Sequence, residues 1–516
     1  MQTLNIVIIS AYLASMLLFG WWGRRRTRGT SDYLVAGRRL GPMLYTGTMS
    51  AVVLGGASTV GGVGLGYEFG ISGLWLVTAI GVGVLLLSLL FAPSLQRLRI
   101  YTVSQMLTLR YGSEATRASS IVMLAYTLML AATSTGAYAS IFVVLFGWDR
   151  WLSIMVGGGI VLAYAVIGGM WSITLADMAQ FIIMTVGMFA LMLPISLANA
   201  GGWSGLTARL DAEFFDLGGM GLQSIITYFV IYTLGLLIGQ DIWQRVFTAR
   251  SPQVARWGGT TAGVYCILYG VAGAVIGMAA AVLMPQVEVR DDVFATVALG
   301  VLPIGIGGLA LAAAVAAMMS TASGALIAAA TVARADVVPL VRDLAAGRRP
   351  ERLDAAQAAR EAEEEAEQSR HFEEDVNSNR WWVLGLGLFV LVLAILVPDV
   401  VAALTIAYDI LVGGLLVAIL GGLVWSRGTG PGAAWSMAAG TVGTLTTMIV
   451  LEVQATEAFG GVYANEPIYV GLASSALVYV VVSLLTRPTH PSVLEAWRRR
   501  RTEGATEELR PGVTVS

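Results

Sequence analysis

The chain has 516 residues, 56% of them hydrophobic and 12% charged, with a mean hydropathy of +0.75. That excess of apolar surface excludes a water-soluble domain of this length, and the ten-residue alternating segments of an outer-membrane barrel are absent. The net charge is only −2, but all 31 basic residues are arginines, and the single cysteine, Cys266, excludes an intrachain disulfide. The two histidines, His371 and His490, fall in polar segments, which excludes a histidine-ligated metal inside a membrane.

The remaining class is an all-α polytopic membrane protein. Apolar runs close to the ~20 residues that cross a bilayer core predict about thirteen helices. They lie near 4–23, 44–66, 72–96, 118–147, 150–168, 173–199, 222–245, 258–284, 295–334, 381–398, 401–425, 433–453 and 467–486. The first run has no positive residue before it and no small-residue cleavage site after it, so it reads as a retained helix.

An odd helix number puts the termini on opposite sides, and the arginines decide which is which. Arg24, Arg25, Arg26, Arg28, Arg38 and Arg39 follow the first helix, and Arg97, Arg99, Arg110 and Arg117 follow the third. Arg245, Arg250 and Arg256 follow the seventh, and Arg498 to Arg501 sit in the tail. With the further set from Arg334 to Arg380 and with Arg427, Arg487 and Arg510, 28 arginines occupy one side, against Arg150, Arg209 and Arg290 on the other. The rich side is cytoplasmic by the positive-inside rule. The N-terminus is therefore expected outside and the C-terminus inside, in a multi-pass plasma (inner) membrane protein.

Two segments read as non-membrane. Residues 340–380, with Glu361, Glu363, Glu364, Glu365 and Glu367, form a charged cytoplasmic insert, a solvated spacer rather than a docking site. The tail, 487–516, is polar and expected disordered, with its arginine run anchored at lipid headgroups rather than on nucleic acid.

The second helix contains Gly55-Gly56-Ala57-Ser58-Thr59-Val60-Gly61-Gly62-Val63-Gly64-Leu65-Gly66, six glycines in twelve residues. Each glycine costs a helix about 1 kcal/mol relative to alanine. Such a stretch either packs closely against a neighbour or unwinds to line a cavity. The ninth helix carries Ala317-Met318-Met319-Ser320-Thr321-Ala322-Ser323, three hydroxyls in four residues. Side chains lean toward a helix N-terminus, so the hydroxyls of Ser320 and Thr321 can converge with the Ala317 carbonyl. That is half a cage for a small hard cation, and the glycine-rich helix is the candidate for the other half.

Three carboxylates lie within predicted spans, where charge is expensive and normally faces a cavity or partner. Asp177 shares a face with Gln180 on the sixth helix, either at a site or at the interface. Asp241 ends the seventh helix, where pairing with Arg245 is the simplest role. Asp409, about a third of the way into the eleventh, is a candidate substrate-facing charge or a structural hydrogen-bonder.

Several stretches, taken in order, resemble the sodium/solute symporters, which include bacterial proline, pantothenate, sialic acid and galactose transporters. They are Asp32-Tyr33-Leu34-Val35-Ala36-Gly37-Arg38, Ala163-Tyr164-Ala165-Val166-Ile167-Gly168-Gly169-Met170-Trp171 leading to Asp177, the Gln244-Arg245 pair, and the helix around Ser320 and Thr321. The resemblance implies a LeuT-like core in which helices two to eleven form a five-plus-five inverted repeat. The resulting division is 1–43 for the extra helix and first loop, 44–426 for the transport core, 427–486 for two peripheral helices, and 487–516 for the tail.

The resemblance also assigns residues. A sodium ion (Na+) is implied at the carbonyls of Ala57, Val60 and Ala317 and the hydroxyls of Ser320 and Thr321. Asp177 is implied as its support, or with Ser323 as part of a second sodium site. The next serine of that site is Gly324 here, which argues against a second ion. Ser58, Thr59, Gly64, Gly239, Gln240 and Asp409 are the substrate-pocket candidates. Sugar carriers of the family place amides where Gly64 and Gly239 stand, and proline carriers place an aromatic at Val63, so hexose and proline are disfavoured. Asp409 suggests a cationic group on the solute.

The expected function is sodium-coupled symport of a small polar organic solute by alternating access, with a monomer sufficient and no nucleic-acid partner. The alternatives are a proton-coupled porter using Asp177 or Asp409, and a membrane sensor built on the same core. The roughly 30 residues after the last predicted helix are few for a signalling domain. No metal cluster, nucleophile–base pair or nucleotide loop suggests an enzyme or an organic cofactor. Fusing a fluorescent reporter and a phosphatase reporter in turn to the C-terminus tests the orientation: fluorescence and no phosphatase activity are expected.

Overall fold

A computed structural model describes residues 2–345, 376–397, 400–456, 459–462 and 464–504, and all regular structure among them is helical. Most of the charged insert, including Glu361 to Glu367 and His371, lies outside the described residues.

Among the described residues thirteen spans emerge once two of ten long helical runs are divided and one bent pair is counted as a span. The run Arg150–Asn199 holds 50 residues, about 75 Å as one helix, more than twice the ~30 Å hydrocarbon core. It breaks at Gly169 (φ 57°, ψ −141°) into the fifth and sixth spans. The run Ala57–Leu98 likewise breaks at Gly70 (φ 60°), separating the second span from the third. The seventh span is bent by 47° between Leu222–Leu236 and Gln240–Thr248.

The ninth span, Ile306–Val332, is buried along most of its length. It packs against the first, fourth, fifth-to-sixth and tenth spans, whereas the twelfth and thirteenth pack mainly on each other and on the eleventh. The ninth span is therefore the central pillar. Its alanine-rich sequence fits that position: small side chains let neighbours approach closely where lipid offers no hydrophobic drive to pack.

The tail departs from its expected disorder. Pro491–Glu503 is a helix with Trp497 buried. Arg500 Nε donates to the Leu98 carbonyl at 2.9 Å and Arg501 Nη1 to the Leu423 carbonyl at 2.7 Å. Leu98 and Leu423 lie at the C-terminal ends of the third and eleventh spans. Cations at helix C-termini satisfy orphan carbonyls and favour the dipole, so these two arginines bind protein rather than headgroups. The arginine-rich face is closed by further ties of this kind. Arg38 donates to the Ile100 and Phe247 carbonyls at 2.8 and 3.2 Å, Gln96 to Ala249 at 3.0 Å, and Gln244 to Leu34 at 2.7 Å.

Candidate functional site

The second span is built in two pieces. Pro42–Val53 stops at Leu54 (φ −91°, ψ 68°), and helix resumes through a wide turn over Ala57–Gly61 and continues as Gly62–Phe69. At this break Thr321 Oγ1 of the ninth span donates to the Val52 carbonyl at 2.8 Å and lies 3.4 Å from the Ala317 carbonyl. Gly55 makes the approach possible, since a Cβ there would sit 2.8 Å from Thr321 Oγ1. The glycine-rich stretch and the hydroxyl cluster do meet.

Ser320 points elsewhere. Its Oγ donates to Asp177 Oδ1 at 2.7 Å. Asp177 Oδ2 also accepts from Thr48 Oγ1 on the N-terminal piece of the second span, and from Arg245 Nη2 at 3.0 Å. Asp177 and Arg245 are both fully buried. Ser323 Oγ turns back onto the Ser320 carbonyl at 3.0 Å. The neighbouring hydroxyls thus divide their bonds, Thr321 to the break and Ser320 to the carboxylate one turn of helix surface away.

The Asp177–Arg245 pair overturns the expected Asp241–Arg245 pair. Asp241 instead holds Tyr126 Oη at 3.1 Å, together with N–H groups of its own first helical turn. The bend of the seventh span places Asp241 at the start of a new helix, where a carboxylate suits the dipole. Arg245, one turn further on, reaches the sixth span. It does so past Gly324, where a Cβ would lie 3.1 Å from Arg245 Nη2 and 2.6 Å from Val52 Cγ2.

A cavity of about 620 Å³ opens beside the break, toward the loops carrying Arg290, Asp292 and Asn465, opposite the arginine-rich face. Ala57, Ser58, Val60 and Thr321 line it. Five of the six substrate-pocket candidates do not. Thr59 Oγ1 is bonded to Tyr269 Oη (3.1 Å) on the eighth span. Gly64 packs under Arg290, whose carbonyl oxygen would lie 2.7 Å from a Cβ. Gly239 caps the C-terminal piece of the seventh span, Gln240–Thr248. Gln240 ties backbone on the arginine-rich side, accepting from Val103 N (2.8 Å) and donating to the Tyr101 carbonyl (3.0 Å). Asp409 is buried behind Tyr408, and its Oδ1 has no hydrogen-bond partner among the described residues. Val63 is also fully buried away from the cavity. The aligned positions used against hexose and proline therefore do not face the cavity.

Sequence reasoning missed the cavity's aromatic wall of Tyr228, Tyr232 and Tyr408. The i,i+4 spacing of the first two was its only local signal. No group of three or more His, Cys, Asp or Glu able to hold a metal occurs among the described residues.

Broken spans meeting at a one-sided cavity, with hydroxyl and carbonyl oxygens at the break, define a membrane transporter of the discontinuous-helix type. Residues 33–440 match the Sodium:solute symporter family, and the chain belongs to that family. The osmoregulated proline transporter OpuE of Bacillus subtilis is 29% identical over 242 residues, 43% of this chain and 48% of that protein. The chain thus matches only about half the length of that relative. A sodium/proline symporter of Staphylococcus aureus is 24% identical over 361 residues, 65% of this chain and 68% of that protein. The solved structure of a Na+-coupled sialic acid symporter superposes with a TM-score of 0.77 at 17% identity, covering 94% of this chain and 98% of that one. That likeness establishes the LeuT-like fold.

The buried ion pair yields a stability prediction. Removing one partner strands a charge in the membrane interior, at about 3–5 kcal/mol. Arg245→Met should lower the thermal unfolding midpoint of the detergent-purified protein sharply, and adding Asp177→Leu should recover most of the loss.

Proposed function

We propose that this chain is a sodium-coupled secondary active symporter that imports a small polar organic solute by alternating access. Family membership supports sodium-coupled symport in general. The observation that carries the specific reading is the Thr321 hydroxyl seated at the break of the second span, on the wall of a cavity open to one face. Sodium binds there through the carbonyls of Ala57, Val60 and Ala317 and the hydroxyls of Ser320 and Thr321. Ser320 donates its proton to Asp177 and keeps its lone pairs for the ion. The cavity face is the external one, so the described conformation is outward-facing, and solute binds beside the ion near the midplane.

One sodium per solute is the stoichiometry that fits. Asp177 already has a tethered cation in Arg245, and Gly324 provides the room that lets it in. A tenfold sodium gradient supplies about 1.4 kcal/mol and 100 mV a further ~2.3 kcal/mol per charge. Together they concentrate solute on the order of several hundredfold for each ion.

The proton-coupled alternative loses Asp177, which is committed to Arg245, and keeps Asp409, whose Oδ1 is unpartnered. Uptake into proteoliposomes with an imposed sodium gradient, and in sodium-free buffer at varied pH, separates the two. Sodium dependence with a Hill coefficient near one is expected. Ser320→Ala with Thr321→Ala should raise the half-saturating sodium concentration at least tenfold, about 1.4 kcal/mol or more. Full uptake without sodium, driven by a pH gradient, would refute sodium coupling.

A further inference from the structure

We propose that the deep wall of the cavity is a tyrosine cage for a positively charged nitrogen, so that the solute is an organic ammonium: an amine, an imino or amino acid, or a quaternary ammonium. This rests on reading the cavity as the solute pocket.

Tyr228 and Tyr232 stand one turn apart on the N-terminal piece of the seventh span, with ring centroids 5.9 Å apart at 58°. Tyr408, from the eleventh span, meets Tyr232 at 5.5 Å and 64°. All three line the cavity. Three tilted rings from two spans thus form one stretch of the cavity lining. A cation within about 6 Å of an aromatic face gains roughly 0.5–2 kcal/mol per ring.

The charges behind the rings have the matching sign. Tyr408 packs edge-on against buried Tyr126 (5.6 Å, 75°), and Tyr126 Oη donates to Asp241. Asp241 and Asp409 are 3% and 1% exposed, and they lie within electrostatic reach of Tyr408 and Tyr232 respectively. Arg245, whose charge reaches Asp241, is bound to Asp177. The charged residues lining the cavity are Arg290 and Asp292 at its mouth, and Arg290 pairs with Glu68 at 3.3 Å. The wall is thus three tyrosines backed by two carboxylates, and the one arginine on the described lining, Arg290, reaches Tyr228 and Tyr232 with its charge paired to Glu68. A cation is drawn to the wall and a carboxylate-only solute is repelled, because fields are screened least where water is least.

Recognition through ring faces differs measurably from ordinary aromatic packing. Equilibrium binding and thermal shift would be measured on the full chain in lipid nanodiscs, with saturating sodium. The probes are choline, glycine betaine, proline, galactose and lactate. At least one of the three nitrogen cations should stabilise the protein, and galactose and lactate should not. Tyr232→Leu and Tyr408→Leu should each weaken that binding tenfold or more, while the Phe variants weaken it by no more than about threefold. Asp241→Asn should weaken it as the Leu variants do. A sodium-induced thermal shift retained in the Leu variants shows that they remain folded. Binding of galactose or lactate in preference, binding of none of the cations, or unchanged binding in the Leu variants would overturn the cage. If the cations bind equally well with sodium or without it, the cage stands and the sodium-coupled reading fails instead.

Discussion

The Asp177–Arg245 ion pair is the constraint on which the site depends. Each ion loses several kcal/mol of hydration on burial, and only close geometry with further hydrogen bonds offsets that. Asp177 meets the requirement with donors from three other spans: Thr48 on the second, Arg245 on the seventh and Ser320 on the ninth. Because Ser320 is held to the carboxylate, the ninth span is fixed in rotation. The neighbouring hydroxyl of Thr321, about 100° further round the helix, then faces the break of the second span. A structural network thereby aims Thr321 at the break.

The sequence made the spans legible because hydropathy reports membrane crossing directly. The meeting of the second and ninth spans could be anticipated for a similar reason. Glycines that loosen a helix and hydroxyls that replace water are both local features, visible at residues 55–66 and 317–323. Pairings across the fold were not legible. Asp241 and Arg245 stand four apart and read as partners, but the bend ahead of Gln240 starts a new helix in which Asp241 serves the N-terminus and Arg245 points to another span. The same bend takes Gln240 out of the pocket, turning its amide to backbone at residues 101 and 103. The tyrosine wall is assembled from residues 180 positions apart, and no window of sequence contains it.

The two faces of the molecule are unequally closed. On the arginine-rich side, buried Arg38, Gln96 and Gln244 bind backbone carbonyls of neighbouring segments, and Arg500 and Arg501 staple the ends of the third and eleventh spans. On the cavity side, the half-exposed Arg290–Glu68 pair spans the mouth, and such a pair contributes about 0–1 kcal/mol. The described conformation is therefore locked at one end and loose at the other.

That asymmetry bounds how alternating access can work. Bonds from charged donors are worth about 1.5–3 kcal/mol each and neutral ones about 1, so breaking every tie on the closed face would exceed the ~3.7 kcal/mol that one sodium brings under a tenfold gradient and 100 mV. Opening must leave most ties within moving bodies and break only those between them. The Gln244–Leu34 and Arg38–Phe247 bonds join the C-terminal piece of the seventh span to the first loop, and the Thr48–Asp177 bond joins the second span to the sixth. Asp177 on the sixth span accepts from both Thr48 of the second and Arg245 of the seventh, so these three spans move as one body or else break a buried ion pair at about 3–5 kcal/mol. In the proposed mechanism an ion at Thr321 shifts the balance between arrangements only by binding them unequally.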